Sequence, residues 1–161
     1  MKNLIMMAAV FAAFCLSSCA VAQNAKETAQ APGVLYAKGV RAPAANFTGT
    51  VWVNMLVTSE DRLDIGAGSV TFEPGARSNW HRHPGGQVLL VTEGKGHYQE
   101  RGTPVRIMQK GDVVKCPPGV EHWHGASPDT ELTHIAISTN AEKGAAEWGN
   151  PVTDEEYNNF K

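Results

Sequence analysis

The chain has 161 residues, 42% hydrophobic and 19% charged, with 14 Lys and Arg against 16 Asp and Glu. That length suits one domain, and the composition is globular, neither low-complexity nor collagenous. A net charge of −2 provides no basic field to neutralise phosphates, which argues against nucleic acid as a partner. All six histidines fall between His81 and His134, and function is expected in that stretch.

The first element in chain order is a leader. Met1-Lys2-Asn3 carries one positive charge, Leu4 to Leu16 is an unbroken apolar run, and Ser17 to Gln23 supplies small residues for cleavage. This is the layout of a secretory signal, and the run falls short of the roughly 20 apolar residues a spanning helix needs. Leu16-Ser17-Ser18-Cys19 resembles a bacterial lipobox, in which Cys19 would carry lipid and anchor the protein. Ala20-Val21-Ala22 offers the alternative cleavage site, which would release a soluble product. The expectation is an exported, periplasmic protein, lipid-anchored through Cys19 or free. Residues 1–22 read as signal peptide, 23–39 as a polar flexible tether, and 40–161 as the folded domain. Of the three cysteines only Cys116 then remains in that domain, which excludes an internal disulfide.

The domain reads as short strands. Val51 to Val57, Gly68 to Phe72, Gln87 to Thr92, His97 to Glu100, Val105 to Met108, Val113 to Cys116 and Glu131 to Ile137 are apolar or alternating runs. Each stops at a turn cluster such as Glu73-Pro74-Gly75, Glu93-Gly94-Lys95-Gly96 or Pro117-Pro118-Gly119. Strands at this spacing with Gly and Pro between them indicate an all-β sandwich or barrel. Only the tail looks helical, opening on the capping-box pattern Thr153-Asp154-Glu155-Glu156 and running to Phe160.

The histidines stand at metal-ligand spacing. In His81-Arg82-His83 the two imidazoles share one face of a strand. Gln87 follows across Pro84-Gly85-Gly86 with the parity to return to that face. His122-Trp123-His124 repeats the pattern after a Pro/Gly turn, and His134 shares a strand face with Leu132, Ala136 and Ser138. Imidazoles and a carbonyl oxygen converging from different strands suit a divalent transition metal with open positions. A single histidine in a strand is more commonly a surface or satisfied core group; the repeated His-x-His is what raises the ligand reading. His97 has no such spacing and reads as structural, and Cys116 as a small core residue.

Gly75, five residues, His81-Arg82-His83, three residues, Gln87, six residues, Gly94 resembles the first cupin motif. Gly111, five residues, Pro117-x-Gly119, two residues, His122 resembles the second. The resemblance implies a single-domain jelly-roll β-barrel over residues 40–161 with a metal held by His81, His83, Gln87 and His122. Gln87 stands where the usual ligand is Glu, and Ala126 where the second motif ends in Asn. Gly68 to Arg77, Gly111 to Val114, His122 to Ala126, Thr133 to Ile137 and Val152 to Tyr157 look like the small bacterial cupin hydroxynitrile lyases. That narrower resemblance, spanning Phe47 to Tyr157, implies Mn2+ as the metal, with Fe2+, Zn2+ or Ni2+ as alternatives. It also implies cleavage or formation of cyanohydrins such as mandelonitrile, with His134 as a further active-site histidine. Ser138 stands where those proteins carry Gln near the substrate, and Gly68 falls at one of their pocket positions.

The physical consequence of Gln87 stands apart from the resemblance. A neutral amide leaves a 2+ ion uncompensated, giving a stronger Lewis acid that is held less tightly. Cyanohydrin cleavage needs this, because the hydroxyl must lose a proton before cyanide departs. His134 has a pKa suited to that transfer. His124 is a second proton carrier or a donor to the leaving cyanide; alternatively it is tied to backbone at the barrel rim. Val70, Trp80, Val88 and Leu90 are expected to wall the substrate. A cupin dioxygenase and a non-catalytic exported metal- or ligand-binding cupin are the alternatives to the lyase. The expected partners are a small-molecule substrate and further copies of the chain, packed through sheets. Val51-Trp52-Val53 is either part of such an interface or a core strand.

Overall fold

The computed structural model describes residues 35–140, 142, 144 and 146–159. The expected signal peptide, the lipobox at Cys19 and residues 23–34 of the tether lie outside these. Among the described residues no helix is long and apolar enough to cross a membrane.

Among the described residues, twelve strands form one antiparallel, curled sheet. They are β1 (Val40–Arg41), β2 (Phe47–Thr48), β3 (Val51–Val57), β4 (Ile65–Phe72), β5 (Arg77–Ser78) and β6 (His81–Arg82). After these come β7 (Gln87–Glu100), β8 (Arg106–Gln109), β9 (Val113–Cys116), β10 (His122–Ala126), β11 (Leu132–Thr139) and β12 (Glu147–Trp148). The main path runs β1-β3-β4-β11-β7-β10-β5-β2, so strands distant in sequence become neighbours. Pro and Gly turns separate most of them, as the sequence predicts, and the result is the all-β jelly roll with, among the described residues, one short C-terminal α-helix.

The centre of the fold departs from the sequence reading in one respect. Gln87 to Thr92 and His97 to Glu100 are not two strands but one 14-residue strand, β7. Its first half pairs with β11 and β9, its second with β10 and β8. Gly94 makes this possible. It takes φ +77°, and a Cβ there would run into the carbonyl oxygen of Glu131 on the neighbouring chain segment. The register with β11 also slips between Thr133 and His134, so β7 bends across both halves of the barrel without ending.

Period-two alternation decides what lies inside. Along β7, Gln87, Leu89 and Val91 are buried while Val88 and Leu90 are only half-buried. Leu89, Val114, Phe72, Met108 and Leu132 are fully buried and form the main core. A second apolar cluster of Trp80, Trp123, Val152 and Tyr157 closes the outer side of β10. Tyr157 belongs to the short helix α1 (Asp154–Asn158), which opens on the expected capping box at Thr153. Its hydroxyl donates to the Ala126 carbonyl at 2.7 Å, and Arg77 reaches the Val152 carbonyl and Asp154, tying the tail to β10 and β5. His97 lies in this outer layer, its ring 5.5 Å from that of Tyr157. Cys116 is buried in the main core.

Candidate metal centre

Each predicted ligand sits where a strand begins or ends, which lets side chains from separate hairpins meet. His81 is on β6 with His83 just beyond it, Gln87 opens β7, and His122 opens β10. His122 pairs directly with His81 across the sheet. All four are buried. The candidate ligating nitrogens of His81, His83 and His122 lie within 4.8 Å of one another, and Gln87 Oε1 lies 3.3 Å from His122 Nε2. The structure therefore brings His81, His83, Gln87 and His122 to one point.

Outer hydrogen bonds settle which nitrogen is free in two of the three rings. His81 Nδ1 lies 3.0 Å from the Asn79 carbonyl oxygen and His122 Nδ1 2.9 Å from that of Val120. A carbonyl can only accept, so both rings carry their proton on Nδ1 and leave Nε2 bare. His83 Nδ1 is 3.1 Å from Ser138 Oγ, and its Nε2 is buried without a hydrogen-bond partner among the described residues.

The residues fit a divalent cation on two counts. Burial, and then the neighbouring His122, hold the His83 imidazole down at about 4; burial likewise lowers His81 and His122. At neutral pH the rings are uncharged, the form that ligates metal. The bare Nε2 of His122 also faces the amide oxygen of Gln87, two lone pairs 3.3 Å apart. A shared cation between such groups relieves that opposition.

Deeper in the barrel, His124 on β10 and His134 on β11 form a second pair. His134 Nε2 lies 3.2 Å from His124 Nδ1, both rings are buried, and the Phe72 ring packs on them with centroids at 5.5 and 5.6 Å. His124 Nε2 and His134 Nδ1 are buried with no hydrogen-bond partner among the described residues. The His124 ring is 5.2 Å from that of His81, so the pair adjoins the ligand cluster. Burial pushes His134 down to about 4 and His124 lower as well, the latter also through His134 and His81.

A cavity of about 300 Å3, lined by Val53, Met55, Gly68, Val70, Ala136 and Ser138 among others, meets the ligand cluster at Ser138, whose Oγ contacts His83. Val70 is a wall, as expected. Trp80, Val88 and Leu90 are not. Trp80 belongs to the outer cluster, and Gln87 facing inward obliges Val88 and Leu90 to face outward. Sequence reasoning missed Trp148, whose ring stacks on His81 at 4.8 Å and 30°. It lies on a two-residue strand far from either motif, and no spacing signal marks it.

The chain belongs to the cupin family: the cupin domain description matches residues 68–138, from the cavity-lining glycine of β4 to Ser138 of β11. Within that class it is 48% identical over 117 residues to the (R)-mandelonitrile lyase of Granulicella tundricola, covering 73% of this chain and 89% of that protein. The crystal structure of a cupin-like protein from Thermotoga maritima is similar with TM-score 0.75 at 57% identity, covering 77% of this chain and 94% of that one. A shorter match, 29% identical over 72 residues, is to an acireductone dioxygenase of Hahella chejuensis, covering 42% of this chain and 38% of that protein.

Proposed function

We propose that this protein is a metal-dependent hydroxynitrile lyase, cleaving cyanohydrins to an aldehyde or ketone and HCN, and running the reverse addition. The observation that carries the reading is the His124–His134 pair, buried and uncharged beside an all-neutral ligand set. Similarity to the (R)-mandelonitrile lyase supports it.

His81, His83, Gln87 and His122 would hold the ion; Mn2+ is the ion that the resemblance to the hydroxynitrile lyases implies, and Fe2+, Zn2+ and Ni2+ are compatible with the same three imidazoles and amide oxygen. Such an ion supplies Lewis-acid stabilisation of negative charge on the substrate oxygen. The protein's own groups handle the proton. One hydrogen sits between His134 Nε2 and His124 Nδ1, so one outer nitrogen of the pair is always bare and the other always protonated. The bare nitrogen takes the hydroxyl proton. The carbon–cyanide bond then breaks with its electron pair on cyanide while the C=O bond forms. Shifting the shared hydrogen leaves the far N–H ready to protonate cyanide as HCN. The apolar walls around Val70 and Ala136 hold the organic body of the substrate and exclude water.

HCN release from racemic mandelonitrile by Mn2+-loaded protein tests this reading, and no release from fully loaded protein would refute it. A cupin dioxygenase is the second reading, favoured by the match to the acireductone dioxygenase. Oxygen uptake with a diketone or phenol and no HCN release would select it. Absence of both activities would leave a binding protein.

The leader composition supports export to the periplasm, with or without lipid on Cys19. Fractionation and mass analysis of the mature N-terminus would test it. Self-association is supported by an outward apolar strip: Ile135 and Ile137 on β11, Val88 and Leu90 on β7, and exposed Val113 on β9 stand side by side across the sheet. Light scattering of the protein lacking residues 1–22 would read its oligomeric state.

A further inference from the structure

Among the described lining residues of the 300 Å3 cavity, Ser138 alone offers a side-chain hydrogen-bond donor. The others are glycines or carry aliphatic or thioether side chains. Ser138 is also the β11 partner of Gln87 in the sheet register, and its Oγ lies 3.1 Å from Nδ1 of His83. One hydroxyl thus touches a candidate metal ligand on one side and the apolar cavity on the other.

The contact differs in kind from those of the other two histidines. His81 and His122 rest on backbone carbonyls, which accept only and leave no choice of tautomer. A serine hydroxyl can donate or accept. When it donates to Nδ1, the proton of neutral His83 is forced onto Nε2, where no metal can be held. When it accepts from Nδ1–H, Nε2 is bare and available. In that second state the hydroxyl's own hydrogen is released from His83 and must find an acceptor elsewhere. The cavity is the space it faces, and among the described lining side chains none can accept except through the weak thioether of Met55.

We infer that Ser138 is a positioning and specificity-determining residue: it fixes the metal-binding tautomer of His83 and, in doing so, turns its O–H into the cavity as the single side-chain donor for an incoming ligand. Combined with the lyase reading on which it rests, the acceptor is the nitrile nitrogen of a substrate whose organic body lies on the aliphatic walls. The chemical class selected is a compact apolar molecule bearing one hydrogen-bond acceptor near its metal-facing end. Ligands carrying carboxylates or several hydroxyls would leave polar groups unpaired against Val53, Val70 and Ala136 and are disfavoured.

The test uses Ser138→Ala and Ser138→Thr, with thermal melting to confirm folding. Titration of chelator-treated protein with Mn2+ should show affinity lower by about 10- to 100-fold in Ser138→Ala, as for other groups that orient a ligand histidine. Ser138→Thr, which keeps the hydroxyl, should restore it to within about threefold. On Mn2+-loaded protein, benzonitrile should bind roughly three- to tenfold tighter than phenylacetylene, its isostere without an acceptor. That preference should vanish in Ser138→Ala and persist in Ser138→Thr. Unchanged Mn2+ affinity in Ser138→Ala, or a nitrile preference that survives it, overturns the inference. Both binding measurements are independent of turnover, so a failure to release HCN from mandelonitrile would count against the lyase reading alone.

Discussion

His134 Nε2 approaches His124 Nδ1 to 3.2 Å inside a barrel where neither ring meets solvent. A single hydrogen occupies that contact, so the two rings act as one proton-carrying unit with two outer nitrogens. Replacing His134 with Ala should lower HCN release by roughly 10²- to 10⁴-fold, the range for loss of a positioned acid–base group. Bound metal, measured by elemental analysis, should be unchanged, because His134 is not among the converging ligands. The double variant His124→Gln, His134→Gln should be scarcely slower than either single one, since groups acting as a unit lose their effect together. Additive losses would show two independent roles.

The same burial makes the metal-free protein acid-sensitive. His134 is held at about 4 against an ordinary value of 6.5, chiefly by burial. Above 6.5 neither folded nor unfolded chain protonates it, and it costs nothing. As pH falls from 6.5 towards 4 the unfolded chain takes up a proton that the folded one refuses, and stability is lost across that window. The loss from this residue is on the order of 3 kcal/mol. Denaturant titrations of chelator-treated protein at pH 7 and pH 4.5 should show the fall, and His134→Leu should reduce it by about that amount, the other lowered histidines keeping the rest. An unchanged midpoint in the native sequence would refute the buried neutral form.

The tail contributes through one hydroxyl. Tyr157 donates to the Ala126 carbonyl at 2.7 Å, at the end of the strand that begins with His122. Tyr157→Phe leaves that buried carbonyl short of a partner and should cost about 1–2 kcal/mol. The melting temperature should fall by a few degrees while Mn2+ affinity stays within about twofold, because the ring still packs on Trp123. A loss of metal binding in the folded variant would mean that the tail sets the ligand geometry directly.

Much of this architecture was legible because strand parity is a local rule. His81 and His83 share a face whatever the rest of the fold does, and Pro/Gly clusters mark most strand ends. Thr153 and Glu156 likewise declare their cap within four residues. Parity carried to its end would also have excluded Val88 and Leu90 as cavity walls once Gln87 was placed inside. Gly94 was harder to read: a turn-rich cluster signals a strand end, yet here a positive φ lets one strand bend and continue. The stacking of Trp148 on His81 was not legible at all. It depends on the pairing of β12 with β6, a contact set by tertiary closure and not by any local pattern.

Gln87 is where charge and function separate. Its amide oxygen stands 3.3 Å from His122 Nε2, and the converging histidines are neutral, so nothing among these four side chains offsets a 2+ ion. Gln87→Glu keeps the length and the oxygen while adding a negative charge within a few ångströms of the ion. At the effective dielectric of a protein site that attraction is several kcal/mol before desolvation is subtracted. Metal retention in a chelator competition should therefore rise by at least about tenfold. The ion becomes a weaker Lewis acid by the same change, and HCN release should fall by roughly 10- to 100-fold. Gln87→Ala should weaken retention, with turnover lost along with the metal. Faster turnover in Gln87→Glu would show that proton transfer, and not stabilisation of the substrate oxygen, limits the reaction.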